Sequence, residues 1–197
     1  IKVEPGVLIP RQETEELVAW ILELYPKETE LTVLDVGTGS GCIPIALKNS
    51  RPNWSLYGSD VSDTALEIAR KNASYNEVDV EFAKDDLFQP SHFSDSKFNL
   101  IISNPPYILP SEKSNLDQEV KNYEPEEALF CDSTQKMYGA IEKLSTQLLS
   151  KNGALFLELH EDTAQEVQEL YLNNNWEVNL KNDYGNKPRF LLAKKLD

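Results

Sequence analysis

Basic residues are scarce in this sequence. Lys and Arg number 19 against 33 Asp and Glu, which gives a formal net charge of −14 and a sequence pI near 4.6. A surface that binds duplex nucleic acid must be positive enough to displace counterions from phosphates, and a field of the opposite sign repels it. Direct nucleic-acid binding is therefore not expected, and a small molecule or a basic protein suits the charge better. Long apolar runs are missing too: nowhere do about 18 hydrophobic residues follow one another, so no membrane span is expected. The opening IKVEPGVLIPR has no basic stretch followed by an apolar core, which argues against a secretory signal. It also has no initiator methionine, which suggests a piece of a longer chain. Cysteine and histidine are present twice each. Cys42 and Cys131 lack metal-ligand spacing, and His92 and His160 lie far apart, so no metal site is expected. Two such thiols fit a reducing compartment, and a cytoplasmic location is the expectation.

What is present is an alternation of short β-branched or apolar runs with longer segments of helical period. A chain of 197 residues with 40% hydrophobic content suffices for one well-buried domain. A helix is expected over residues 13–25, with Leu17, Val18, Ile21, Leu24 and Tyr25 on its buried face. Strands LTVLDV, WSLYGSD, VDVEFAKDD, FNLIISN and GALFLELH follow, with helices near residues 41–49, from residue 62 onward, and near 134–149 and 162–173. Ser62 is a good N-cap for the second of these. WEVNLKND and RFLLAKK, joined by a Gly-containing turn, close the chain as an antiparallel pair. The fold class that results is α/β: a mostly parallel seven-stranded sheet with helices on both faces and an antiparallel last strand. The least regular stretch, residues 105–133, follows a strand end where ligands gather in such sheets, which favours a functional loop.

LTVLDVGTGSG places Asp35 and three glycines directly after a buried strand. Glycines there let the chain turn sharply and let a ligand approach without a Cβ in the way. The third glycine comes one residue early for the dinucleotide fingerprint, which counts against a pyrophosphate-bearing ligand. Asp60 ends the second strand, where a carboxylate can accept both hydroxyls of a ribose. Asp86, in DDLF after the third strand, can accept from an adenine amino group, and Leu87 can cover the ring. An adenosine ligand without phosphate fits: S-adenosylmethionine, with S-adenosylhomocysteine as product and no metal. The expected cofactor-binding set is Gly37, Thr38, Gly39, Ser40, Gly41, Asp60, Val61, Asp86, Leu87 and Asn104.

At the end of the fourth strand, SNPPYIL joins two prolines to an amide and an aromatic ring. Two prolines stiffen the turn and remove two backbone donors. Asn104 offers a side-chain carbonyl, and Pro105 a backbone carbonyl with no competing N–H of its own. Two such acceptors can hold the two hydrogens of a substrate –NH2 and resist conjugation of its nitrogen into a carbonyl. Positioning of that kind accelerates methyl transfer to the nitrogen. Tyr107 supplies a flat face for a planar amide, and its π cloud favours a cationic methyl donor. Asn104, Pro105 and Tyr107 are the expected catalytic residues, and they bind substrate together with Pro106.

VLDVGTGSG and SNPPYIL together resemble the amino-methylating branch of the Rossmann-like S-adenosylmethionine-dependent methyltransferases. More narrowly, VLIPRQETEELV, NPPYI, EVKNYEPEEALF and DYGNKPRFLLAK resemble the HemK/PrmC family of release factor glutamine N5-methyltransferases, almost end to end. The resemblance implies methylation of the glutamine side-chain amide in the Gly-Gly-Gln loop of a peptide-chain release factor. It implies cofactor binding by residues 37–41 and Asp60, and amide binding by residues 104–107. It puts Arg11 over the pocket near the cofactor's carboxylate. It also implies that residues 1–197 are the catalytic domain, without the small helical domain that precedes it in the family.

Two stretches depart from the family pattern. CDSTQKM stands where a Gly-rich stretch is usual, and ELH, ending in His160, stands where Glu-Ile-Gly is usual. Both bear on partner docking more than on reaction type. NPPY also serves adenine N6 chemistry on nucleic acid, but that requires base flipping and a basic surface, which a charge of −14 opposes. A ribosomal-protein glutamine as substrate, or an inactive cofactor-binding module, also fits the motifs. Trp20, Trp54 and Trp176 read as core, His92 as exposed and His160 as structural. The acidic run EPEEA either bounds the substrate entrance or is a solvated face.

Overall fold

Residues 1–115 and 124–196 are described by a computed structural model of the chain. Strands β1 (Thr32–Val36), β2 (Ser55–Asp60) and β3 (Glu81–Lys84) alternate with helices α1 (Gln12–Leu24), α2 (Cys42–Ser50) and α3 (Asp63–Tyr75). After β4 (Phe98–Ser103) come a 3-10 turn, Pro110–Asn115, and the short helix α4 (Glu126–Leu129). Then follow α5 (Thr134–Leu148), β5 (Leu149–Glu158), α6 (Ala164–Asn173), β6 (Trp176–Asn182) and β7 (Pro188–Lys195). The sheet order is β3-β2-β1-β4-β5-β7-β6, parallel throughout except that β7 runs against both its neighbours. The expected α/β architecture, with its seven strands and antiparallel last strand, is the one found.

Period-two alternation sends neighbouring residues to opposite faces. Val33, Leu100, Ile102 and Phe156 face α1 and α2, joining Leu17, Trp20, Ile21 and Leu47. Leu34, Ile101, Leu155 and Leu157 face α5 and α6, joining Tyr138, Ile141, Val167 and Tyr171. Each fully buried aliphatic or Phe side chain of this kind contributes about 1.5–3 kcal/mol. On α1 the buried stripe includes Trp20, edge-on to Phe156 at 5.4 Å, whereas Leu24 in the last turn is 46% exposed. The expectation for Leu24 fails because the helix ends there, and Tyr25 instead packs against Trp54 and Phe156. Trp54 and Trp176 are buried, and His92 is exposed, as expected. Ser62 caps α3 by accepting from the Ala65 amide at 3.3 Å.

The chain order reverses between β1 and β4: β2 and β3 build outward on one side, and β4 and β5 on the other. A crevice outside the carboxyl ends of the strands belongs at such a switch point. The register aligns Val36 with Ser59 and Ser103, so the loops after β1, β2 and β4 leave the sheet side by side.

Candidate active site

The loop after β1 is held open by backbone contacts to β2. The amides of Gly37 and Thr38 both donate to the Ser59 carbonyl, at 2.9 and 2.8 Å. Gly39 donates its amide to one Asp60 carboxylate oxygen, and the Ser62 amide donates to the other, both at 2.9 Å. These two amides fix the Asp60 side chain at the end of β2. Gly41 has φ +78°, and a Cβ there would stand 3.1 Å from the Ala69 Cβ and 3.2 Å from Phe82. It packs the start of α2 against α3. Gly39 has φ +54° and nothing within 4 Å of where its Cβ would stand. That open space is the cavity.

Beneath the loop, Asp35 is 1% exposed, and among the described residues neither of its carboxylate oxygens has a hydrogen-bond partner. Burial pushes its carboxyl up to about 7; the nearby Thr38 hydroxyl offsets part of this, and the charge of Asp60 adds to it. An uncompensated buried acid attracts a cation.

The turn after β4 places Asn104, Pro105 and Pro106 on the cavity wall. The Asn104 side-chain nitrogen donates to the Thr14 hydroxyl at 3.2 Å, and that hydroxyl donates to Glu158 Oε2 at 2.8 Å. The Asn104 side-chain oxygen is buried and, among the described residues, unpartnered. A buried carbonyl without a donor costs about 1–3 kcal/mol, so this atom is kept for something. Tyr107 is half-buried and off the cavity wall, its ring centroid 5.5 Å from that of His160. Burial, with the charge of Glu158, holds its hydroxyl up to about 12, so it stays protonated.

The N-terminal segment covers the opposite side. Val7 is buried against Ala65 and Ile68, and Asn72 ties the segment to the glycine loop by donating to the carbonyls of both Lys2 and Ser40. Arg11 pairs with the buried Glu124 through two hydrogen bonds of 2.6 and 2.9 Å. Glu124 belongs to EPEEA, and the solvated-face reading of that run fails for it. Of EVKNYEPEEALF, residues 119–123 lie outside the described residues.

These parts enclose a cavity of about 450 Å³, within the usual range for a small-molecule site. Gly37, Thr38, Gly39, Ser40, Asp60, Val61, Asp86, Leu87, Asn104, Pro105 and Pro106 line it. Gly41 and Tyr107 stand behind or beside it. Arg11 directs its guanidinium to Glu124. Sequence reasoning passed over Thr14 and Cys42, which also line the cavity, and Glu158 behind them. Their signal was present in QET, adjoining IPR, and in ELH, but only the folded chain joins the two. Cys42 and Cys131 are thiols, and burial pushes that of Cys42 up to about 11.

The family described as Methyltransferase small domain matches residues 10–121. A release factor glutamine methyltransferase of Flavobacterium psychrophilum is 42% identical over 191 residues, covering 93% of this chain and 67% of that protein. One from Bacteroides thetaiotaomicron is 37% identical, covering 98% of this chain and 69% of that protein. The chain belongs to the release factor glutamine methyltransferase family. It spans about two thirds of those relatives' length. Among solved structures, the ribosomal protein L11 methylase from Lactobacillus delbrueckii subsp. bulgaricus matches with a TM-score of 0.65 and 22% identity, covering 95% of this chain and 81% of that one. The hMettl16 catalytic domain in complex with MAT2A 3′UTR hairpin 1 matches with a TM-score of 0.74 and 16% identity, covering 96% and 71%. Both likenesses show the Rossmann-like methyltransferase fold, on which this family member builds its cavity.

Proposed function

We propose that this chain transfers a methyl group from S-adenosylmethionine to the side-chain amide nitrogen of a protein glutamine, that of the Gly-Gly-Gln loop of a peptide-chain release factor. The observation that carries the reading is the buried side-chain oxygen of Asn104, unpartnered among the described residues, in a residue of the cavity wall beside Pro105. Family membership supports the same substrate. Residues 1–197 are then a catalytic domain, working in the cytoplasm. No helix among the described residues is long and apolar enough to cross a membrane.

The residues present fit the cofactor. Gly37 and Gly39 leave room at the cavity wall, and of the other lining residues Asp60 would accept from ribose hydroxyls while Asp86 and Leu87 would take the adenine. Asp35, beneath them, favours the cationic end of the ligand. When bound, S-adenosylmethionine supplies an electrophilic methyl group. The protein's part is positional. Asn104 and Pro105 accept the two amide hydrogens and turn the nitrogen lone pair toward the electrophile, which converts a bimolecular encounter into an oriented one. Tyr107, next in sequence to Pro106 on the cavity wall and packed beside His160, is the ring we assign to the planar amide. Segment 6–10 and the residues around α4 wall the cavity.

Incubating the protein with methyl-labelled S-adenosylmethionine and either a release factor or duplex DNA tests the reading. Label is expected on the release factor glutamine, and label on DNA would overturn it.

A further inference from the structure

Asparagine carries an acceptor on one end of its amide and two donors on the other, of nearly equal size. Packing hardly distinguishes them, so hydrogen bonds decide which end faces the cavity. If the ends were exchanged, Asn104 would offer –NH2 to a substrate –NH2, and two donors do not pair. The proposed function therefore depends on what fixes this amide.

The structure supplies a one-way chain of donors. Glu158, 1% exposed, accepts from the Thr14 hydroxyl at 2.8 Å. A hydroxyl has a single hydrogen. With that hydrogen committed to the carboxylate, Thr14 turns only lone pairs toward Asn104. Lone pairs accept from the Asn104 nitrogen, at 3.2 Å, and repel its oxygen. The oxygen is left buried and, among the described residues, unpartnered, in a residue that lines the cavity. We propose that Glu158 is a positioning residue that acts through Thr14 to fix the Asn104 amide with its oxygen toward the substrate.

The direction of the chain holds only while Glu158 is ionised. As an acid it can donate to the Thr14 oxygen, which frees the Thr14 hydrogen to meet an inverted Asn104. Burial pushes the Glu158 carboxyl up to about 7, against the opposing pull of the Thr14 hydroxyl and of Arg189 from β7. Glu13 on α1 raises it further, and Asn104 lowers it. Cys42 on α2 and Tyr107 also feel its charge, and Tyr138 on α5 donates to its backbone carbonyl at 3.3 Å. The correct orientation is thus compulsory above pH about 7 and optional below it.

This inference rests on the role given to Asn104, and its test has an arm that needs no substrate. In ¹⁵N-labelled protein, the Asn104 side-chain NH2 signals, identified by their loss in Asn104→Asp, should move with pH with a midpoint near 7. They should do so in Thr14→Ser, and not in Glu158→Gln or Thr14→Val. In the transfer assay, Thr14→Val should lower kcat about tenfold or more, with Thr14→Ser and the cofactor Kd of both variants within about threefold of wild type. Unchanged titration of Asn104 in Glu158→Gln or Thr14→Val would overturn the proposal, as would a Thr14→Ser as impaired as Thr14→Val. Absence of transfer by the wild-type chain would sink the substrate reading alone, since the spectra decide the relay by themselves.

Discussion

Arg11 donates from one guanidinium nitrogen to both carboxylate oxygens of Glu124, joining the segment before α1 to the segment before α4 across 113 residues of sequence. The Glu124 side chain is 1% exposed and that of Arg11 34%. The pair closes the cavity from two sides, because Pro10 and Pro125, the neighbours of these residues, both line it.

Arg11→Ala leaves a buried carboxylate without its counter-charge. For a fully buried pair the loss is about 3–5 kcal/mol, and the exposure of Arg11 reduces the expectation to about 2 kcal/mol. Urea unfolding should show that loss, and the double variant Arg11→Ala/Glu124→Gln should recover much of it. A double variant less stable than Arg11→Ala would contradict this account.

Asn104 and Asp60 should separate catalysis from binding. Asn104→Ala is expected to lower transfer by about a hundredfold or more, the scale seen when one preorganised polar group is removed. Cofactor affinity should then change by no more than a few fold. Asp60→Ala frees the Gly39 and Ser62 amides and removes the ribose acceptor, so calorimetry should show cofactor affinity about tenfold or more weaker.

Asp35 should make the fold less stable as pH rises. Its carboxyl stands near 7 when folded, against an ordinary value of 3.8. Between these values the folded state holds the proton that the unfolded state has lost, so stability falls as pH rises through the interval. The penalty is complete above pH about 7 and absent below about 4. Asp35→Asn should therefore stabilise by a few kcal/mol at pH 8 and by less at pH 5. Equal gains at both would contradict the burial argument. Cofactor affinity should fall in the same variant, since the buried charge is removed.

Two glycine-to-alanine changes should have opposite signs. Gly41→Ala forces a Cβ at φ +78° to within 3.1 Å of Ala69, and a loss of about 1–3 kcal/mol is expected. Gly139, inside α5, has nothing within 4 Å of its missing Cβ. Alanine there should raise stability by about 0.5–1 kcal/mol. Thermal unfolding of the two variants reads both.

The sheet was legible because strand alternation and helical period survive in the linear chain, as Leu100, Ile101 and Ile102 show by dividing between the two faces. The glycine loop, Asp60 and Asn104 were legible because strand ends in such a sheet bring their loops together. Thr14 and Glu158 were not. Their bond spans 144 residues and leaves no periodic trace. Glu124 was obscured by its neighbours: one carboxylate in an acidic run looks like the rest until Arg11 is seen opposite it. His160 read as structural, and its ring packs beside Tyr107, off the cavity wall.

Strand β7 lies between β5 and β6, although it follows both in sequence. β6 therefore has no contact with β5 in the ladder and reaches the sheet only through β7. Seven residue pairs join β6 to β7. Strand β7 is thus the one support that β6 has in the sheet, and a change that weakens the β5–β7 pairing loosens both strands together.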